Sequence, residues 1–279
     1  MQRTDLAGLI ARYDVFWLDV YGVLVNTQGA LPGAQRFLQR LRDAGKSYLL
    51  VSNDASRSPQ TSLARYGGFG LDITLDQILT SGMLLADHFA AAGLVGAPTI
   101  VLGTDDSAAY VTEAGGQVVA PDDERAEVVV VADDDGYPFL ETVNEVLTVL
   151  FRRLDAGRRT HLVLPNPDMI FPRGERAYGF TSGAVAAMLE AILRLRDPSL
   201  RFVGLGKPHA PIFAAALRRS PIADKQRIVM VGDQIVTDVA GARGFGVDAA
   251  FVESGIGRVR DAELHGVRPT WLLAGLDAA

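Results

Sequence analysis

The chain has 279 residues, 48% of them apolar and 22% charged, proportions that exclude a disordered or low-complexity polypeptide and suit a globular one with room for two cores. Its 27 Lys and Arg stand against 33 Asp and Glu, a net charge of −6, which leaves no basic excess for a nucleic-acid backbone. Cysteine is absent, so disulfides, thiolate metal sites and thiol nucleophiles are excluded.

The first long apolar stretch, Leu6 to Val25, is interrupted by Arg12, Asp14 and Asp19. It fits neither a leader peptide nor a membrane span, and a cytoplasmic protein without membrane or nucleic-acid partners is expected. Within it, Val15 to Val20 is uniformly apolar up to Asp19, the pattern of a strand buried on both faces. A helix follows: Pro32 lies near its start, Ala34, Phe37, Leu38 and Leu41 share one face, and Gly45 stops it. The strand Tyr48–Val51 leads to a Ser-Asn-Asp turn and a helix opened by Ser58-Pro59. Further strands are expected at Pro98–Leu102, Glu127–Val131, His161–Leu164, Arg201–Val203, Arg227–Val231 and Asp248–Val252, mostly separated by helical runs. This alternation predicts an α/β fold on a parallel, Rossmann-like sheet.

Three strand ends carry chemically useful groups: Asp19 before Tyr21-Gly22, Ser52-Asn53, and Gly232-Asp233 with Asp238 five residues later. Lys207 sits in a fourth segment, Gly204-Leu-Gly-Lys-Pro208. In open α/β sheets ligands bind beyond the carboxyl ends of the strands. Carboxylates from separate strands suit Mg²⁺, which takes oxygen ligands, and a Lys with a Ser suits a phosphate.

In order and spacing these segments resemble the four motifs of the haloacid dehalogenase superfamily of phosphotransferases, over nearly the whole chain. The resemblance implies Asp19 as nucleophile, Ser52 binding the phosphoryl group beside Asn53 and Gly22, and Lys207 neutralising charge between the two. It implies a Mg²⁺ held by Asp19, the Tyr21 carbonyl and Asp233, with Asp238 in support. Asp19 to Ser52 has room for a flap, one helix and one strand, whereas Ser52 to Lys207 is far longer than one crossover needs. An α/β cap inserted at 83–202 is therefore expected, with a discontinuous core of 1–82 plus 203–279. Leu79-Thr-Ser-Gly82 and Pro165-Asn-Pro-Asp168 resemble segments of the NagD-like and p-nitrophenylphosphatase-like branch, and Asn166 and Asp168 are candidates to face the site from the cap. An Asn-Pro-Asp run is equally good turn chemistry. The implied activity is hydrolysis of a small phosphorylated metabolite, and a cap with exposed apolar surface could form a homodimer.

One position departs from the pattern. Phosphatases of the family usually carry Asp two residues after the nucleophile as general acid and base, and this chain has Tyr21. General acid–base assistance is worth about 10²–10⁴-fold, and a phenol of pKa about 10 is a poor donor at neutral pH. Aryl esters are thus expected to react faster than alkyl esters, unless His209 or a cap residue supplies the proton. Two alternatives follow from Tyr21: a non-catalytic binder of phosphate ligands, and a 2-haloacid dehalogenase, which carries its cap where this chain has no room. Gly45-Lys46-Ser47 lacks the first glycine of a phosphate-binding loop and reads as a helix stop. His209 reads as a residue near a helix start, and Asp133-Asp-Asp-Gly136 as a solvated turn.

Overall fold

The computed structural model describes residues 1–174 and 177–277, so the final two positions of the expected core segment lie outside the described residues. In chain order the first part carries β1 (Gln2–Arg3), α1 (Leu6–Arg12), β2 (Val15–Leu18), α2 (Ala34–Asp43), β3 (Ser47–Ser52), α3 (Pro59–Gly68) and β4 (Ile78–Thr80). The middle carries α4 (Leu84–Ala92), β5 (Pro98–Leu102), α5 (Asp105–Glu113), β6 (Gln117–Val118), β7 (Val128–Val131), α6 (Phe139–Asp155) and β8 (His161–Leu164). It continues with β9 (Ile170–Gly174), β10 (Ala177–Phe180), α7 (Ser182–Leu193) and β11 (Val203–Gly204). The last part holds α8 (Ala210–Arg219), β12 (Ile228–Gly232), α9 (Ala240–Phe245), β13 (Asp248–Val252), α10 (Asp261–Leu264) and β14 (Trp271–Leu273).

Seven strands form a parallel sheet in the order β1-β14-β13-β12-β2-β3-β4. Five more form a second parallel sheet, β11-β8-β7-β5-β6. The chain leaves β2 toward β3 on one side and later adds β12 on the other, so the strand order switches direction at β2. Such a switch opens a crevice beyond the strand ends, and Asp19 is the residue that follows β2.

Burial on both faces explains the strand composition: β2 is Val-Phe-Trp-Leu and β7 is four valines, all buried. Trp17 lies 6.1 Å from Phe213 and 6.3 Å from Phe245 between ring centroids, and its indole N–H reaches Ser220 Oγ at 3.0 Å. Burial of a side chain of this size contributes about 1.5–3 kcal/mol. Gly45 ends α2 at a φ of +64°, and Lys46 turns to Asp14 at 3.1 Å, as expected of a helix stop.

The loop after β3 is strapped to the start of α5. The carbonyls of Ala55, Ser56 and Arg57 accept from Ser107 Oγ at 2.8 Å, Thr104 Oγ1 at 2.7 Å and Tyr110 Oη at 2.8 Å. The Ser58 N–H donates to Asp106 Oδ2 at 2.8 Å. These bonds hold the start of α5, which follows β5 of the second sheet, against the loop that leaves Ser52 and begins with Asn53.

The structure corrects several expected boundaries. The first strand ends at Leu18, leaving Asp19 and Val20 in the turn, and β11 begins at Val203, so Arg201 and Phe202 lie outside it. Short strands β1, β4, β6 and β14 were not expected, nor was the antiparallel hairpin β9–β10. Ile170, Tyr178 and Phe180 of that hairpin are exposed. No helix among the described residues is long and apolar enough to cross a membrane.

Candidate active site

Asp19 sits in the crevice with its N–H donating to the Val231 carbonyl at 2.9 Å, a bond that continues the β2–β12 ladder past the end of β2. Its carboxylate meets Lys207 Nζ at 2.6 Å, and the same ammonium lies 2.8 Å from Asp238 Oδ1. All three side chains are buried. Burial alone pulls the Lys207 ammonium down, but Asp19, Asp238 and Asp168 together outweigh it and hold the lysine above its ordinary pKa. Lys207 is therefore a fixed positive charge at neutral pH.

Asp233 and Asp238 follow β12, with residues 235–239 forming a π turn, a distortion often found at functional sites. The turn lets the Gln234 N–H reach Asp238 Oδ2 at 3.1 Å. The Ile256 N–H donates to Asp233 Oδ2 at 2.8 Å, while Asp233 Oδ1 is buried with no hydrogen-bond partner among the described residues. One oxygen each from Asp19, Asp233 and Asp238 lies within 4.8 Å of the others. Burial raises all three carboxyls: at Asp233 and Asp238 repulsion from neighbouring carboxylates adds to it, taking Asp238 to about 6 and Asp233 well above its ordinary value, whereas at Asp19 the Lys207 ammonium offsets part of the rise. Three clustered carboxylates balanced by one lysine, with one oxygen orphaned, form a donor set that fits a hard divalent cation such as Mg²⁺. Gly22 has a φ of +89°, and a Cβ there would collide with the Asp233 carboxylate. Its lack of a side chain lets the Tyr21–Gly22 peptide, which carries the Tyr21 carbonyl, close over that cluster.

Ser52 ends β3 in the wall of the same crevice, its Oγ accepting from the Asp54 N–H at 3.2 Å. Asn53 is committed elsewhere. Its Oδ1 accepts from the Lys207 N–H at 2.7 Å, and its Nδ2 donates both to the Lys207 carbonyl and to Asp168 Oδ1 at 2.9 Å. Asn166 Oδ1 accepts from the Asp168 N–H at 3.0 Å as turn residues do, and both residues face the site.

Tyr21, Ser52, Asn166 and Asp168 line a cavity of about 220 Å³ together with Arg57, Asp133 and Phe171. The Tyr21 hydroxyl accepts from Arg65 of α3 at 2.9 Å. Asp133 corrects the reading of its segment as a solvated turn: it is partly buried in the cavity wall, and burial raises its carboxyl to about 7. His209 is the N-cap residue of α8, as expected, and is not among the residues that line this cavity. Sequence reading missed Arg57, Arg65 and Phe171. A cluster of Arg, Ser and Asp directly after Ser52-Asn53 was the one local signal, and only for Arg57.

The chain is similar to known proteins over most of its length. A family model described as haloacid dehalogenase-like hydrolase matches residues 16–117, and a second, HAD-hydrolase-like, matches 204–279. The crystal structure of a Cytophaga hutchinsonii protein described as a possible sugar phosphatase of the HAD superfamily is 30% identical. It superposes with a TM-score of 0.86 over 100% of this chain and 99% of its own. The p-nitrophenyl phosphatase of Archaeoglobus fulgidus is 26% identical, with a TM-score of 0.78 over 95% of this chain and 97% of that one. An acid sugar phosphatase of Staphylococcus aureus is 25% identical over 96% of this chain and 97% of its own length. The chain belongs to the haloacid dehalogenase-like hydrolases.

Proposed function

We propose that the protein is a Mg²⁺-dependent phosphohydrolase that cleaves a small phosphate monoester through an aspartyl-phosphate on Asp19. The observation that carries this reading is the buried Asp19 carboxylate held 2.6 Å from Lys207 Nζ beside Asp233 and Asp238. Asp19 attacks phosphorus, the bond from phosphorus to the ester oxygen breaks, and water then displaces the carboxylate to release phosphate. The obstacle is repulsion: two like charges about 4 Å apart cost about 4 kcal/mol in a protein-like dielectric. Lys207 offsets part of it while fixing the direction of Asp19. Asp19, the Tyr21 carbonyl and Asp233 would hold a Mg²⁺, with Asp238 in support, and the ion would supply the rest of the charge compensation. Ser52 donates to a phosphoryl oxygen, Gly22 leaves the backbone open to it, and Asn53 acts through Lys207 and Asp168.

The division of labour follows the two sheets. We assign the chemistry to a core of 1–82 plus 203–279 and substrate selection to a cap of 83–202, whose sheet borrows β11 at the boundary. The cavity wall joins carboxylates and the Asn166 amide to Phe171, a lining suited to the hydroxyls and ring face of a sugar phosphate, in keeping with the names of two of the relatives. Self-association through the exposed hairpin β9–β10 belongs to the same proposal.

The test is phosphate release from p-nitrophenyl phosphate and a panel of sugar phosphates, with and without Mg²⁺. Release that needs Mg²⁺ and disappears in Asp19→Asn is expected. A wild type that binds phosphate esters without releasing phosphate is instead a binding protein.

A further inference from the structure

Tyr21 leaves the first motif without a carboxylic acid, and the cavity shows where one stands. Two acids that face it have their carboxyls raised by burial, Asp133 to about 7 and Asp168 to about 6. Position separates them. Asp168 is close enough to act electrostatically on both Asp19 and Lys207, whereas the charged neighbours of Asp133 are Asp134 and Arg57. The Asn53 Nδ2 holds Asp168 Oδ1 at 2.9 Å, and Asp168 Oδ2 takes no hydrogen bond among the described residues. One oxygen is thus anchored, and the residue lines the same cavity as Ser52 and Tyr21.

We propose that Asp168, reaching in from the opposite sheet, is the general acid and base of the reaction. The proposal rests on the phosphohydrolase reading above. As the bond from phosphorus to the ester oxygen breaks, the proton on Asp168 Oδ2 passes to that oxygen and the alcohol leaves neutral. Asp168, now a carboxylate, takes a proton from the water that attacks the phosphorylated Asp19. Phosphate leaves, Asp19 recovers its carboxylate, Asp168 recovers its proton, and the cycle balances. The group works among Lys207 and Asn53, which favour its ionised form, and Asp238, which with burial favours the neutral one.

The substitution Asp168→Asn separates this role from a structural one, because an asparagine oxygen still accepts from Asn53 Nδ2. The measurement is kcat/KM on p-nitrophenyl phosphate and on an alkyl phosphate such as glucose 6-phosphate. An aryl leaving group departs without a proton, so the aryl rate falls by only a few-fold while the alkyl rate falls about 10²–10⁴-fold. Tyr21→Asp placed in the same background restores at least about tenfold of the alkyl rate, since it returns an acid to the first motif. Equal losses on both esters, or no loss on either, overturn the role of Asp168 while leaving the phosphohydrolase reading intact. A wild type inactive on both esters with Mg²⁺ present overturns both.

Discussion

The side-chain amide of Asn53 closes on the main chain of Lys207 from both sides, Oδ1 accepting from its N–H at 2.7 Å and Nδ2 donating to its carbonyl at 2.9 Å. The same Nδ2 reaches Asp168, so one amide links the lysine that pairs with Asp19 to the acid on the far wall. This grip holds the Lys207 main chain, and the ammonium at the far end of the side chain donates to Asp19 at 2.6 Å.

Asn53→Ala leaves the Lys207 N–H and carbonyl buried without partners, a loss of about 1–3 kcal/mol of stability. Catalysis falls further than binding, because displacing the lysine that orients Asp19 by about 1 Å costs up to about 10²-fold. Urea unfolding together with kcat and KM on p-nitrophenyl phosphate checks this, with the decrease expected mainly in kcat. A change confined to KM would place Asn53 on the substrate instead.

Divalent cation should stabilise the fold. Mg²⁺ at about 100 times its Kd adds about 2.7 kcal/mol to a protein that binds it only when folded. Thermal unfolding with Mg²⁺ against EDTA shows the gain in the wild type. In Asp233→Asn the gain is reduced or lost, because the carboxylate that supplies the orphaned oxygen is gone. A rise in Tm of the same size in this variant would remove Asp233 from the metal site.

Asp133 gives the fold a dependence on pH. Burial raises its carboxyl from 3.8 to about 7, so the folded protein holds this proton over a range where the unfolded chain has released it. Its neutral burial carries no charge penalty below about pH 4, and the penalty grows as pH rises toward about 7. Unfolding free energy should therefore fall across that window, and less steeply in Asp133→Asn, whose amide oxygen can still accept from the Asp134 N–H at 2.8 Å. Urea midpoints measured from pH 4 to 7.5 on both proteins decide it, and parallel curves would show that Asp133 is solvated.

Much of the site was legible because parallel strands buried on both faces announce themselves. Val-Phe-Trp-Leu followed at once by Asp19, and Ile-Val-Met-Val-Gly followed by Asp233, are runs in which only the last residue is free to do chemistry. What stayed hidden depends on distant pairings. Asn53 reads as a substrate ligand until its partner 154 positions away is seen to consume its amide. Asp133 reads as a solvated turn because the wall it faces comes from Tyr21 and Arg57 of the other sheet. The hairpin β9–β10 lacks the short turn signal of a tight hairpin, and the two-residue β6 is too short to show any period. The π turn that places Asp238 leaves no pattern in Ile-Val-Thr-Asp-Val, since it follows from packing against Gly232, where a Cβ would strike the Asp238 side chain.

In the proposed reaction Asp19 becomes phosphorylated during turnover. Rapid acid quench of the Mg²⁺-loaded protein with p-nitrophenyl phosphate, followed by mass spectrometry of its peptides, tests it directly. A phosphoryl adduct is predicted on the peptide that contains Asp19, absent from Asp19→Asn, which should also release no phosphate. Undiminished phosphate release by Asp19→Asn, with no adduct in the wild type, would rule out an aspartyl-phosphate at this position.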